Sequence, residues 1–558
     1  MTDRFPRYPK QHLLKLIQLE SKDLFAILSF AVMAGLLSLA TPVAVQSLVN
    51  TIAFGILIQP LVVLMLILFG CLAINSVLYA LQLFVAEMIQ RRIFVRLVSL
   101  SVRNISHALR MSETGERIGW VNYYFEIMSI QKAWTNLLLD GLSYGLQTII
   151  GLVLLAFYHP VLLAFDVLII TTLYLIFTVL GSSGVQTAIE KSKAKHEFAK
   201  WMQALARNTL TSRSAWEWIL QKSDQLTCDY LAKSDHHFKV VFKQQVAILA
   251  LYAVANSALL GLGGWMVIER QLTLGQLIAA ELILNAMLSG LTRLGKSITS
   301  YYDLMAGMDK ISYLIDLPIE SQDGQRLSNP ETIAISGKGT QIIEPHSLDI
   351  KPHILRFEDF ELHPGQEAYI TSCSDLETET LIDSLRGVSI PATGHLMMNG
   401  VNYNLLHPDQ LNSRISVAFK PEWFEVSILQ NLMLGQVSLS LERVQQTINE
   451  FPVSKKLERL PAGLETQLSL DGCPLSIEDL WQINVIRELL CERAVLILGL
   501  PLEAQLWPSL DKVFVTIHSM CRHRIVIWVS AFSHPLYIGM KQITASKEVI
   551  GPSSEELK

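Results

Sequence analysis

The sequence predicts a membrane α-helical domain of six transmembrane helices extended into cytoplasmic helical hairpins, followed by a cytoplasmic α/β domain. Three observations predict it. No Asp, Glu, Lys or Arg occurs from Leu24 to Ala86, a run too long for one span of about 20 residues and suited to two. Further apolar stretches follow in pairs, with short turns inside each pair and long basic connections between pairs. Beyond the apolar part, short β-type runs alternate with turn residues, as in a soluble α/β domain.

The amino-terminal segment, residues 1–22, is charged and amphipathic and has no cleavable signal pattern, so insertion is expected to rely on the first span. It is too short for a peptidase-like domain, and no leader cleavage by this chain is expected. Residues 23–315 hold the spans. The first pair hinges around Asn50–Pro60. Asn136–Phe157 and Val161–Leu180 meet at Tyr158-His159-Pro160, where proline cannot continue the first helix. Val246–Ile268 and Leu272–Leu291 meet at Glu269-Arg270-Gln271.

The long connections carry the positive charge. Ile89–Lys132 holds Arg91, Arg92, Arg96, Arg103, Arg110 and Arg117, and Glu190–Lys243 is similarly rich in Lys and Arg. The positive-inside rule makes these segments and both termini cytoplasmic, in a multi-pass protein of the plasma (inner) membrane. Apolar residues at three- and four-residue spacing from Glu197 onward predict that the spans continue into the cytoplasm as long helices. Ser112–Trp120 and Thr209–Trp216 are the candidate turns by which such hairpins touch a domain below.

Three acidic residues fall within spans: Asp140, Asp166 and Glu281. A carboxylate in lipid is costly unless hydrated or paired. Glu281 and Asp166 are therefore candidates for a transport path. The other reading places Asp140 at the cytoplasmic mouth and Asp166 near the outer turn, both reaching water, and it is the preferred one for those two.

Composition bounds the rest. With 51% hydrophobic residues, 17% charged and a net charge of −5, nothing favours nucleic acid as a partner. The six cysteines (Cys71, Cys228, Cys373, Cys473, Cys491, Cys521) show no C-x-x-C spacing and read as core residues of a reducing compartment.

After a linker, 316–340, residues 341–558 form the α/β domain. Tyr369–Gly387 has the outline of a phosphate-binding loop, G-x-x-x-x-G-K-[ST], in which bare backbone amides and a lysine hold polyphosphate at a helix start. Ser372 and Glu377 stand at the glycines, Thr378 at the lysine and Glu379 at the Mg²⁺-holding hydroxyl; Thr380 and Leu381 still fit. Ser374 to Glu377 reads as a capping box that closes the helix's free amides internally. Asp375, Glu377 and Glu379 place carboxylates where the helix dipole favours negative charge. Two like charges about 4 Å apart repel by roughly 4 kcal/mol at an effective dielectric near 20. Loss of the lysine removes about 1.5–3 kcal/mol of charge-assisted bonding. Together they weaken phosphate binding by several powers of ten.

The spans, the hairpins, the α/β domain, Leu272-Thr-Leu-Gly-Gln-Leu-Ile and Leu460-Pro-Ala-Gly-Leu-Glu-Thr together resemble an ABC exporter half-transporter, with a P-loop NTPase of the ABC ATPase type as its second domain. Ile354–Leu362 with His363-Pro-Gly-Gln, the Gly394–Gly400 hairpin, Arg414–Phe419, Leu429–Gly435, Val495–Leu498 and Ile525–Val529 fit the scaffold of that family. The resemblance implies a glutamine where Lys420 stands, and an LSGGQ signature where Leu475-Ser476-Ile477-Glu478-Asp479 stands. It implies a metal-binding aspartate and a basic glutamate at Gly499 and Leu500, and a histidine at Ala531, with His534 three residues too late. No adenine-stacking aromatic is evident near Leu348–Lys351.

The expectation is therefore a degenerate nucleotide-binding domain: a pseudo-ATPase with no cofactor, though weak ATP binding stays open. Its partners are the lipid bilayer, a second copy or another ABC half-transporter, and further proteins of an export assembly. Two alternatives remain, a non-transporting membrane scaffold or receptor and an ATP-driven exporter with non-consensus sites.

Overall fold

The computed structural model describes residues 9–54, 58–107, 114–207, 214–317, 324–327, 332–343, 353–372, 374–389, 391–434, 436 and 439–549. The chain divides into two compact units, one within residues 1–319 and the other within 320–558.

The first unit is helical. Helices α1 (Pro9–Leu19), α2 (Ser21–Ser38) and α3 (Ala40–Phe54) lead into α4 (Ile58–His107), followed by α5 (Thr114–Asn136) and α6 (Leu142–Tyr158). Then come α7 (Pro160–Leu175), α8 (Gly184–Arg207), α9 (Trp216–Ile268) and α10 (Leu274–Ile315). Among the described residues, six helical segments are long and apolar enough to cross a membrane. At 1.5 Å per residue, the 50-residue α4 and the 53-residue α9 reach about 75–80 Å, more than twice a hydrocarbon core. The expected extension of spans into long helices is thus present.

The turns follow local chemistry. His159 caps α7, its Nδ1 accepting the Val161 N–H at 3.2 Å, and Pro160 takes the first helical position, where no amide is needed. Thr273 and Gln276 form a reciprocal capping box at the start of α10. Two features were not legible beforehand. Leu137–Gly141, between α5 and α6, and Ile176–Leu180, after α7, are π-helical turns. Part of the Asn50–Pro60 hinge, residues 112–113, most of Thr209–Trp216, and Leu348–Lys351 lie outside the described residues, and the rest of the expected turn Ser112–Trp120 is not a turn but the start of α5.

Asp166 departs from expectation. It does not reach water but is 3% exposed, on the buried stripe Leu162–Phe165–Asp166–Ile169–Leu173 of α7, and neither carboxylate oxygen has a partner among the described residues. Its spacing of one and three residues from Phe165 and Ile169 turns it inward with them. Asp140 and Glu281 are half-buried.

The second unit holds two sheets. Strands β1 (Ile335–Ile343), β2 (His353–Phe357), β3 (Phe360–Leu362), β4 (Glu367–Thr371), β5 (Thr393–Met398) and β6 (Val401–Asn402) come first. They are followed by β7 (Ile415–Ala418), β8 (Val495–Leu500), β9 (Ile525–Ser530), β10 (Lys541–Ile543) and β11 (Ala545–Val549). One sheet is antiparallel, in the order β11-β2-β1-β5-β6, with β3 also on β1. The other runs β10-β4-β9-β8-β7 and is parallel throughout. Ile354–Leu362, expected with His363-Pro-Gly-Gln as the strand and turn that enter the phosphate loop, instead holds β2 and β3, paired with different parts of β1, and β4 is the strand that leads into the loop segment. The expected hairpin turns at Asn399 and Gly400, both with positive φ (50° and 79°).

Every residue of β8 and β9 is buried, as in a parallel sheet covered on both faces. Register aligns Thr371 of β4 with Ser530 of β9, and Leu500 of β8 with Ser530. The carboxyl ends of β4, β9 and β8 therefore lie side by side, the edge at which parallel α/β sheets hold ligands.

Candidate functional site

The site is built at that edge. After β4, Ser372 donates its N–H to Ser530 O at 2.8 Å, and helix α11 (Asp375–Leu385) begins three residues later. Ser374 caps it by accepting the Glu377 N–H at 3.2 Å, which is the serine half of the capping box expected from the sequence. The helix thus starts two residues ahead of Glu377, so the second half of the motif's loop is wound into its first turn. A wide loop needs glycine's freedom at both motif positions, and this chain has none there.

Thr378, at the lysine position, is fully buried. Its hydroxyl donates to Ser374 O at 3.0 Å and lies 2.5 Å from Ser372 Oγ. Glu377 and Thr380 are buried as well. The Asp375 carboxylate accepts the Leu502 N–H at 2.9 Å, tying the first turn of α11 to the segment after β8. Glu379 is paired: Lys420 Nζ, just beyond β7, lies 2.5 Å from Glu379 Oε2. Side chains expected to differ from the family at two separate positions are therefore joined in one ion pair.

The end of β8 is closed by packing. A Cβ on Gly499 would meet Phe419 Cδ2 at 2.3 Å and Ile382 Cδ1 at 2.5 Å. Leu500 is wholly buried among apolar side chains. Next to β9, Ala531 precedes a core of rings rather than a free histidine. His534 stacks on Phe514 with centroids 4.9 Å apart and lies 3.2 Å from Asp511. Tyr537 stacks on Tyr369 at 4.8 Å and donates its hydroxyl to Ser530 Oγ at 2.9 Å; burial pushes its pKa up to about 12.

The second expected cluster lies at helix α12 (Ile477–Leu490). Ser476 and Asp479 form a reciprocal capping box: Ser476 Oγ accepts the Asp479 N–H at 3.3 Å, and Asp479 Oδ2 accepts the Ser476 N–H at 3.0 Å. Lys456 reaches both Asp479 oxygens, at 2.7 and 2.8 Å. Glu478 Oε1 accepts the Ser509 N–H at 3.1 Å. Leu475 is buried, while Ile477 is 52% exposed. The serine hydroxyl and the Ser476 and Asp479 amides thus already have intramolecular partners.

Among the described residues of the first cluster, Lys420 is paired with Glu379, a threonine stands at the motif's lysine position, and apolar side chains pack at the β8 end. Sequence reasoning identified the replaced positions but missed Phe419, the Lys420–Glu379 pair and Lys456. The one available signal was an aromatic residue just beyond a strand paired with β8, next to a lysine.

Comparison with known proteins adds the context. No family model matches the chain. It is similar to the alpha-hemolysin translocation ATP-binding protein HlyB of Escherichia coli O157:H7, 21% identical over 326 residues, which are 58% of this chain and 46% of that protein. It is also similar to YheI of Bacillus subtilis, a probable multidrug resistance ABC transporter ATP-binding/permease protein, 24% identical over 292 residues, 51% of this chain and 48% of that one. The chain spans about half the length of the curated relatives it matches. A bacterial Atm1-family ABC exporter solved with ATP bound superposes with a TM-score of 0.79, covering 93% of this chain and 92% of that one at 16% identity. The fold is that of an ABC exporter, and these two relatives are named for alpha-hemolysin translocation and for multidrug resistance.

Proposed function

We propose that this chain is a subunit of an ABC-type export or secretion assembly whose nucleotide-binding domain is degenerate and hydrolyses little or no ATP. It would contribute a translocation domain to the inner membrane, with both termini in the cytoplasm, as a dimer with a second copy or with another half-transporter. The observation that carries the reading is the Lys420–Glu379 pair. In the family that the chain resembles, these two positions serve the nucleotide's Mg²⁺. Here an internal ammonium answers the carboxylate at the Mg²⁺ position. The packing of Phe419 and Ile382 against Gly499 supports the same reading, since it leaves no room for an acid at the β8 end.

The experiment is purification of the full chain from its native membrane, with identification of copurifying subunits and assay of ATP turnover. A copurifying half-transporter with intact phosphate loop and signature, and no turnover by this chain alone, is the expected result. Vanadate-sensitive turnover by the chain alone, lost in Glu379→Ala, would overturn the proposal.

A further inference from the structure

The first unit contains a polar cavity that nucleotide chemistry does not account for. It measures about 380 Å³ and lies between α2, α4 and the α5–α6 junction. Although Leu24–Ala86 is free of charge, α4 turns Asn75, Ser76, Tyr79 and Gln82 to this cavity, at the spacing of one helix face. Facing them are Asp140, Ser143, Tyr144 and Gln147, again one face. Ala31, Ala34 and Gly35 of α2 keep the third wall low. Asp140 sits in the π-helical turn Leu137–Gly141, a distortion that recurs at functional sites.

Polar groups inside a membrane span are costly unless they find partners or line a hydrated cavity. Here several lack protein partners. Gln82 is 1% exposed; its Oε1 accepts from Ser143 Oγ at 3.2 Å, and its Nε2 has no partner among the described residues. Asp140, Asn75 and Gln147 make no hydrogen bond among the described residues, and no ion pair reaches Asp140. Arg293 stands at the Tyr144 wall, hydrogen-bonded to that hydroxyl with its guanidinium 5.0 Å from the ring centroid, and forms no ion pair with Asp140 among the described residues.

We propose that this cavity binds an organic ammonium: a primary or secondary amine carried on a small apolar body. The carboxylate of Asp140 supplies the counter-charge, and the carboxamide oxygens of Asn75 and Gln147 accept the remaining N–H groups. The Tyr79 ring gives a face for the cation and for the apolar body. The volume suits the small end of ligand sites, about 300–1,000 Å³. An anion is disfavoured by the unpaired carboxylate. The site stands whether or not the second unit handles ATP.

The test uses the full chain in phosphatidylcholine nanodiscs without nucleotide, titrated with dansylcadaverine, a fluorescent primary amine. Saturable binding is expected, weakened at least tenfold both in Asp140→Asn and when the amine is N-acetylated to a neutral amide. Equal binding of the acetylated probe would overturn the proposal even if Asp140→Asn failed to fold, and so would undiminished binding by a folded Asp140→Asn protein. An equal loss in Glu269→Gln, at the exposed turn after α9, would also overturn it by showing a bulk charge effect. Nanodiscs containing phosphatidylethanolamine separate two sources of the same chemistry. Competition by that lipid supports a headgroup ammonium as the ligand, and unchanged binding supports a soluble amine.

Discussion

Substituting Gly499 by alanine tests the packing at the end of β8 without introducing charge. The added Cβ would lie 2.3 Å from Phe419 Cδ2, 2.5 Å from Ile382 Cδ1 and 2.7 Å from Phe419 Cγ. Carbon atoms in favourable contact stand about 3.5–4.0 Å apart, so the neighbours must withdraw by more than about 1 Å. Phe419 is 6% exposed and Ile382 2%, both in the same apolar core, which leaves them little room to move. Overpacking of this kind costs about 1–3 kcal/mol, and contact on two sides argues for the upper half of that range. In a domain of 150–250 residues each kcal/mol lowers Tm by about 2–4 °C, giving a fall of about 4–12 °C for the unit within residues 320–558. Gly499→Asp adds a buried, unpaired carboxylate at several kcal/mol more. Phe419→Leu in the Gly499→Ala background should recover about 1 kcal/mol, because contacting residues couple by about 0.5–3 kcal/mol. The assay is thermal unfolding of the full chain in detergent, with hydrogen exchange to localise the loss to β8 and β9. Wild-type stability of Gly499→Ala would refute the claim that this position is closed.

Three other outcomes are expected. Lys420→Gln should cost less than about 1 kcal/mol and lose its effect in high salt, because the pair is part-exposed (58% and 28%); urea unfolding at two ionic strengths checks this. Asp479→Ala should cost about 1–3 kcal/mol, since it removes half of a capping box and leaves the Lys456 ammonium without its partner, and urea unfolding reads it directly. Burial, partly offset by Arg524, pushes the Cys521 thiol up to about 11 from 9.0. A raised pKa stabilises the fold below the unfolded value and is lost above it. Stability should therefore fall by up to about 1.4 kcal/mol per pH unit between pH 9 and 11, and Cys521→Ala should flatten that slope in pulse proteolysis.

The architecture was legible where chemistry is periodic or punctuated. The charge-free run, Tyr158-His159-Pro160 and Thr273 set helices and turns through local rules, and the described elements follow them. The π-helical turns were not legible, because no residue type or short motif marks where a turn takes an extra residue. Asp166 was misjudged from its nearness to a chain turn, whereas helical phase, shared with Phe165 and Ile169, decides its burial. At the α/β edge each replaced residue was visible singly. Their compensation was not: Phe419 fills the space beside Gly499, and Lys420 meets Glu379 across 41 positions of chain. Those contacts depend on the register of β7, β8 and β4, which no short motif records.

The central claim, that side chains of this protein take the place of nucleotide and metal, is tested most directly by calorimetric titration of the purified full chain with ATP and Mg²⁺. The account predicts no saturable heat up to millimolar ATP, as a loss of several kcal/mol of phosphate binding requires. Magnesium-dependent binding at low micromolar concentration would contradict it.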